Sequence, residues 1–396
     1  MRGVQVRSDN RPRPAISRYR SGAEYKNGDD VKAIYVVGVL ASCGAGSAMA
    51  QSSVTLYGLT DVSVQYQTHV NRAGGSTVQM GVGGLSESRF GVSGTEDLGG
   101  GNAAIFRLEN RFDLNNGQSD PGLPFWNTAF VGLKSANLGM LTMGRQTNVL
   151  AGVVERTYAS NPWVPFNFSF QPEFTMLGGP WSSNMAKYTI KLADVVGQVS
   201  YAFGNTAGHT SYGSQMGIGV AYMPAAPLAA GAAYMDSRDS TNGSHSKAWT
   251  AGASYTWQSM QFHAGYFENR LDPGFQSYLN GPFTAPVLAA LKYTDFSSRR
   301  MFSLGAVHSF SSAMRLSFNY WRTLQTGKTE RLDGTASQFE LLADYNLSKR
   351  TDVYIEGNYG LYRGDLIGAQ IQGVNGLGTA QKSTQLGLMA GIRHQF

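Results

Sequence analysis

From residue 53 to the end of the chain, apolar and polar residues change places with a period of two. In MRLSFNYWR, Leu316, Phe318 and Tyr320 alternate with Arg315, Ser317 and Asn319. In TDVYIEGNYGLY, Val353, Ile355, Tyr359 and Leu361 alternate with Asp352, Glu356 and Asn358. NAAIFRLENRFDL sets Ala104, Phe106, Leu108, Phe112 and Leu114 against Arg107, Glu109, Arg111 and Asp113. MQFHAGYFEN, MFSLGAVHSF, SQFELLADYNL and QVSYAF continue the theme. A period of two is the signature of a strand with unlike faces. About sixteen such segments, each roughly nine to thirteen residues long, fit between residues 53 and 396.

The connections alternate as well. EDLGGG, SANLG, ADVVG, QSM, SSA and LSKR are tight, whereas 150–183, 271–298 and 364–383 are longer than compact soluble folds ordinarily tolerate. Long and short in turn place elaborated loops at one end of a hairpin array and tight turns at the other. A soluble sandwich would alternate too, but its inward face would be aliphatic and its outward face charged. Here one face is almost free of charge and the other carries arginines and carboxylates, which a packed dry core would not tolerate. The pattern therefore predicts an all-β fold, a transmembrane antiparallel β-barrel of about sixteen strands, apolar side to lipid and polar side to a lumen. Tyr66, Tyr201, Phe203, Tyr255, Trp257, Phe310 and Tyr320 sit near segment ends, as interfacial girdles require.

The C-terminal GLMAGIRHQF belongs to the same pattern. Leu386, Leu388, Ala390 and Ile392 share one parity with Phe396, and only Met389 and His394 break the alternation. Backbone groups in hydrocarbon must all be paired. The final strand is thus expected to close against the first, 54–66, which removes both edges.

Composition agrees with many strands and turns: 49 glycines, 20 Phe and 20 Tyr, and only 15% charged residues. No segment after residue 50 approaches the eighteen apolar residues of a spanning helix. Of the formal net charge of +6, the first fifty residues hold +4, so the remainder is too weakly basic to indicate nucleic acid.

Residues 1–50 have the elements of a leader and signal peptide. Lys32 precedes the uncharged stretch 33–50, which ends in Ala48-Met49-Ala50. Cleavage after Ala50 exposes Gln51 and leaves 51–396 as a single barrel domain without cysteine. Leu40-Ala41-Ser42-Cys43 offers the alternative of a lipidated Cys43.

Motifs for chemistry are weak. GKT within 324–330 lacks the first P-loop glycine, its place being taken by Arg322. GVSGT at 91–95 lacks nucleophile-elbow spacing. The six histidines are scattered, without metal-ligand spacing, so neither a metal nor a cofactor is expected. His263, next to the strand that holds Ser254, is the one pair that evokes a barrel enzyme.

Four motifs carry a resemblance. VTLYG at 54–58, SRFGVSGTEDLGGG at 88–101, GRQ at 144–146 and PEF at 172–174 occur in an order and spacing similar to those of the general diffusion porins of Gram-negative bacteria, the sixteen-stranded trimeric type. The likeness covers essentially all of the chain after residue 50. It implies an outer-membrane, non-enzymatic diffusion channel for small hydrophilic solutes and ions. It implies a homotrimer held through the first strands, and a third loop, 150–183, folded into the lumen. It implies that Arg89 and Arg145 belong to a basic constriction wall, that Glu173 is the acid facing it, and that Lys187 is a further wall position. Terminal Phe396 resembles the residue by which the assembly machinery recognises such barrels.

The chain departs from that family in several places. Leu59 stands where a lysine is common, Ser169 where a second loop acid is, and the loop motif reads PEFTMLGG. The loop holds few charges, Glu155, Arg156 and Glu173, but many aromatics, Tyr158, Trp163, Phe166, Phe168, Phe170 and Trp181. With Arg107, Arg111, Lys187 and Lys191 on inward parity, a mild anion preference is expected, unless Glu109, Asp113 or other acids balance them. Arg145 shares parity with lipid-facing Leu141 and Met143, which requires a bulge or a protomer contact. The alternatives are a porin selective for sugars or aromatic compounds, a barrel enzyme, and an adhesin.

Overall fold

The computed structural model describes residues 53–120, 123–159, 179–225, 227–281, 288, 292, 293, 295–368 and 381–396. Its strands are β1 (Ser53–Gln67), β2 (Thr77–Val82), β3 (Arg89–Gly99), β4 (Asn102–Asp113), β5 (Gln118–Ser119), β6 (Thr128–Ser135), β7 (Gly139–Thr147), β8 (Trp181–Leu192) and β9 (Val195–Ala202). They continue with β10 (Gln215–Tyr222), β11 (Leu228–Arg238), β12 (His245–Trp257), β13 (Met260–Leu271), β14 (Phe296–Ser309), β15 (Met314–Gly327), β16 (Gly334–Asn346), β17 (Thr351–Gly364) and β18 (Thr384–Gln395). A helix, α1 (Val149–Thr157), lies between β7 and β8.

All neighbours pair antiparallel in sequence order, and the sheet closes on itself. β2 and β3 both pair with β1, at its upper and lower parts, and so share one place in the wall. The two-residue β5 only touches the end of β4. Sixteen staves result. The seam pairs Leu59 with Gln395 through Gln67 with Gly387. It ends where Gly58 N donates to Phe396 O (3.1 Å) and Phe396 N donates to Gly58 O (3.0 Å). The terminal segment is therefore structural wall, as its alternation predicts.

The inversion of faces is plain along β1. Asp61, Ser63, Gln65 and Gln67 are buried, whereas Val54, Leu56 and Val64 are exposed. In β15, Ser317 and Asn319 are buried while Phe318 faces outward. Side chains that prefer water are enclosed and those that avoid it are displayed, which is stable only with lipid outside. The girdle residues Tyr66, Tyr201, Phe203, Tyr255, Trp257 and Phe310 are all exposed.

One sector departs from the expected polar interior. On β11–β14 the inward Ala233, Met235, Ala248, Phe267 and Met301 form an apolar core with α1 and with Phe275, Tyr278, Tyr293 and Phe296 around the loop 272–295. That sector of the wall is therefore covered by an apolar cluster and not by polar lumen groups. Lys191, expected inward, is exposed near the β8–β9 turn, because parity gives the side of a strand and not the depth along it.

Candidate functional site

The third loop starts with a firmly fixed helix. Asn148 caps α1: its Oδ1 accepts from Ala151 N (3.0 Å), and its Nδ2 donates to Gly179 O (2.9 Å). Its backbone N also donates to Pro180 O (2.7 Å), so the two ends of the loop are tied together at the wall. VLAGVVERT places Val149, Leu150, Val153 and Val154 on one side, all buried. Burying such side chains contributes up to about 1.5–3 kcal/mol each.

The helix approaches closely because the wall beneath it lacks side chains. A Cβ at Gly219 would stand 2.6 Å from Val149 Cγ1 and 2.7 Å from Val153 Cγ2. At Gly231 it would meet Val153 Cγ1 at 2.6 Å, and at Gly252 the Tyr158 ring at 2.5 Å. The helix end is fixed by Tyr158 OH against Thr250 Oγ1 (2.5 Å) and by Ser254 Oγ donating to Thr157 O (2.6 Å). Glu155 and Arg156 are left half-buried. Burial pushes the Glu155 carboxyl up from its ordinary value, against the opposing pull of Arg156, Lys187, Arg111 and Arg89.

Apart from Arg156, which lies on α1 itself, these cations come from β3, β4 and β8. Arg89 opens β3, Arg107 and Arg111 lie on β4, Arg145 on β7 and Lys187 on β8. Arg145 points inward through a bulge: Gly144 pairs with Met185, but Gln146 pairs with Ser182, so one residue of β7 opposes two of β8. Gly144 has φ +134°, and a Cβ there would run into the Ala129 carbonyl oxygen. Leu141 and Met143 remain exposed in the single chain while Arg145 is buried.

The partners of these cations differ. Arg107 is paired with Glu109 (2.5 Å) and its Nε donates to Tyr57 OH (2.6 Å). Arg111 is ion-paired with Glu87 and lies over the Trp181 ring, 4.1 Å from its centre. Arg145 donates to Asn127 O (3.0 Å) and Ser183 Oγ (2.8 Å), and Lys187 Nζ donates to Thr147 O (2.7 Å). Among the described residues, no carboxylate forms an ion pair with Arg89, Arg145 or Lys187. Leu59, at the position of the missing lysine, is buried opposite Arg89. Glu173, Trp163, Phe166, Phe168 and Phe170, like residues 1–52 with Cys43, Ala50 and Gln51, lie outside the described residues.

The alternation drew no attention to Glu87 or to the stretch that carries it. Residues 83–88 leave the wall between β2 and β3, and the only signal in the sequence is Gly83-Gly84 after a regular strand.

Ser254 Oγ is engaged by the Thr157 carbonyl, and His263 Nε2 lies 2.8 Å from Asn319 Oδ1, so these neighbours do not bond to each other. Among the described residues, no group of three His, Cys, Asp or Glu is placed to hold a metal ion.

The pattern of the Gram-negative porins matches residues 36–365. The chain belongs to this family. It is 29% identical over 379 residues to outer membrane porin protein 32 of Delftia acidovorans, covering 92% of this chain and 99% of that protein. It is 39% identical over 118 residues to an outer membrane porin protein of Bordetella pertussis, 26% of this chain and 31% of that one. Among solved structures, an anion-selective porin from Comamonas acidovorans superposes with a TM-score of 0.66 at 25% identity, covering 87% of this chain and all of the other. This porin is an outer-membrane protein whose barrel is a passive channel, with the first part of its third loop folded inside.

Proposed function

We propose that this porin passes small hydrophilic solutes with a preference for anions, and that selection occurs where α1 faces the β3–β8 wall. One observation carries the reading. Arg89, Arg145 and Lys187 stand on one wall without ion-paired carboxylates among the described residues, opposite the single acid Glu155 of α1. A fixed positive excess beside a narrow aqueous path raises the local anion concentration and disfavours cations. The relationship to an anion-selective porin supports the same sign. The channel performs no chemistry on its solutes: the Ser254 and His263 side chains are engaged elsewhere. Three copies associate through the outward apolar face of the first staves, and Phe396 serves the assembly machinery as well as the seam.

Reversal potentials in planar bilayers under a KCl gradient test the charge filter. The wild type is expected to favour chloride, and the triple change Arg89→Gln, Arg145→Gln, Lys187→Gln to abolish that preference without lowering conductance. A wild type that favours potassium overturns the reading. Saturable block of the current by one sugar or aromatic solute would instead establish a substrate-selective channel.

A further inference from the structure

The second stave of the wall is broken in an orderly way. β2 pairs with β1 up to Val82 opposite Val62, and β3 resumes with Arg89 opposite Leu59. The residues between, 83–88, form a short tongue held by the buried Asp61. Asp61 Oδ2 accepts from Leu85 N (3.0 Å) and Ser86 N (2.8 Å), and Oδ1 accepts from Tyr354 OH (2.6 Å). Asp61 N donates to Ser88 Oγ (2.9 Å), which returns a bond to Asp61 O (3.1 Å). Leu85 is buried in a cluster with Leu342, Tyr354 and Met389, and Ser86 Oγ accepts from Arg393 (3.3 Å). Phe112 N donates to Ser88 O (3.0 Å), which fixes the exit of the tongue against β4. Both flanks of Glu87 are thus anchored, and its carboxylate is delivered to Arg111.

We infer that Glu87 is a specificity-determining residue of this channel and that Asp61 is its positioning residue. This rests on the charge-filter reading above. The Glu87 carboxylate neutralises one cation of the wall, so the tongue sets how large the anion preference is. The ion pair is not needed to hold the tongue, because the Asp61 bonds and the Leu85 contact do so without it. Buried pairs of this kind add little stability in any case. Asp120 and Glu155 also act on Arg111, so its charge is shared among three acids and is not cancelled by distance alone.

The effect has a calculable size and salt dependence. One unit charge about 7 Å from a permeant ion in water, with a screening length of about 10 Å at 0.1 M salt, changes the anion-to-cation permeability ratio about threefold. At 1 M salt the screening length falls to about 3 Å and the change nearly vanishes. A purely steric alteration would have no such dependence.

The test is reversal-potential measurement on the full-length porin at both ionic strengths. Glu87→Gln is expected to raise the chloride preference about threefold in 0.1 M salt and hardly at all in 1 M salt. Asp61→Asn, which loosens the tongue, is expected to shift the ratio the same way and to enlarge the conductance. A folded Glu87→Gln channel with the wild-type ratio at 0.1 M overturns the inference, and so does a shift of equal size at both salts. If Glu87→Gln does not fold, Arg111→Gln is compared with the double change Glu87→Gln, Arg111→Gln, where the same threefold difference is expected and its absence is refuting. A wild type selective for cations would sink the charge-filter reading alone, because the Glu87 difference is measured relative to the wild type whatever its sign.

Discussion

Gly144→Ala removes no charge and no hydrogen-bonding group, yet it is expected to undo a basic position of the channel wall. Gly144 has φ +134°, where a side chain is strained by roughly 1–3 kcal/mol. An added Cβ would also strike backbone, the Ala129 carbonyl oxygen and Phe130 Cα at 2.9 Å, and backbone cannot rotate away as a side chain does. Two responses are open. Either the bulge survives under that strain, or β7 regularises and Arg145 follows the parity of Leu141 and Met143 onto the lipid face. The second course places a guanidinium in hydrocarbon, which costs about 2–4 kcal/mol near the midplane. It also abandons the bonds of Arg145 to Asn127 O and Ser183 Oγ.

Either way the barrel is destabilised by about 2–4 kcal/mol. Equilibrium unfolding in detergent micelles, followed by the mobility difference between heated and unheated samples, measures this loss. Reversal potentials separate the two responses. A regularised strand gives the reduced chloride preference of Arg145→Gln, whereas a strained bulge keeps the wild-type ratio. Wild-type stability together with wild-type selectivity would refute the account of how Arg145 reaches the lumen.

Three further expectations follow from the same geometry. Gly219→Leu places a side chain where Val149 and Val153 of α1 now rest, at a cost of about 1–3 kcal/mol of overpacking; single-channel records should become noisy with larger openings, and quiet wild-type traces would show that α1 is not seated there. Gly58→Val fills the space under the Phe396 ring, whose Cε2 would lie 2.8 Å from a Cβ, and it also meets Arg89 O at 2.7 Å; unheated samples should then lack the fast-migrating closed form that the wild type gives. Asp239, just beyond β11, accepts Thr241, Gln276 and Ser277 N–H groups at 2.8, 2.9 and 3.0 Å. Burial raises its carboxyl pKa, but the bonds from the Thr241 hydroxyl and these N–H groups more than offset this and lower it overall. Its stabilisation of the outer loops is therefore complete above the unfolded carboxylate value of about 3.9 and lost as pH falls through the lower folded value. Asp239→Asn should accordingly speed chymotryptic cleavage near Phe275 and Tyr278 at pH 7, and unchanged cleavage would contradict the latch.

Much of the barrel is legible in the sequence because wall strands are two-sided surfaces with opposite solvents. β15 and β17 show this most clearly, and the alternation of β18 likewise marks it as wall paired with β1. Legibility fails where the determinant is not on the strand itself. Ala233, Met235 and Ala248 face inward yet are apolar, since their solvent is α1, which lies some eighty or more residues earlier in the chain. Arg145 contradicts its own parity where Gly144 takes φ +134° beside a bulge whose extra residue lies in β8. The tongue at 83–88 is invisible to periodicity, as it is held by Asp61 from another stave. Among the charges, the pairing of Arg107 with Glu109 follows from their spacing of two on one strand face. The pairing of Arg111 with Glu87 depends on the tongue and does not.

The manner in which the wall cations are held bears on how a barrel with few net charges could sustain the proposed field. A guanidinium or ammonium beside water must be oriented if its charge is to act at a fixed place, and a carboxylate would orient it while cancelling it. Arg145 and Lys187 are instead oriented by uncharged acceptors, the Asn127 and Thr147 carbonyls and the Ser183 hydroxyl. Such acceptors fix direction and satisfy part of the donor set, but subtract no unit charge. Arg107 and Arg111 are held the other way, by Glu109 and Glu87. The wall thus contains two kinds of cation, those paired with a carboxylate and those held by uncharged acceptors, and the proposed filter rests on the second kind. On the proposed reading, the packing of α1 against β10–β12 leaves the ions the side of the lumen where the second kind stands.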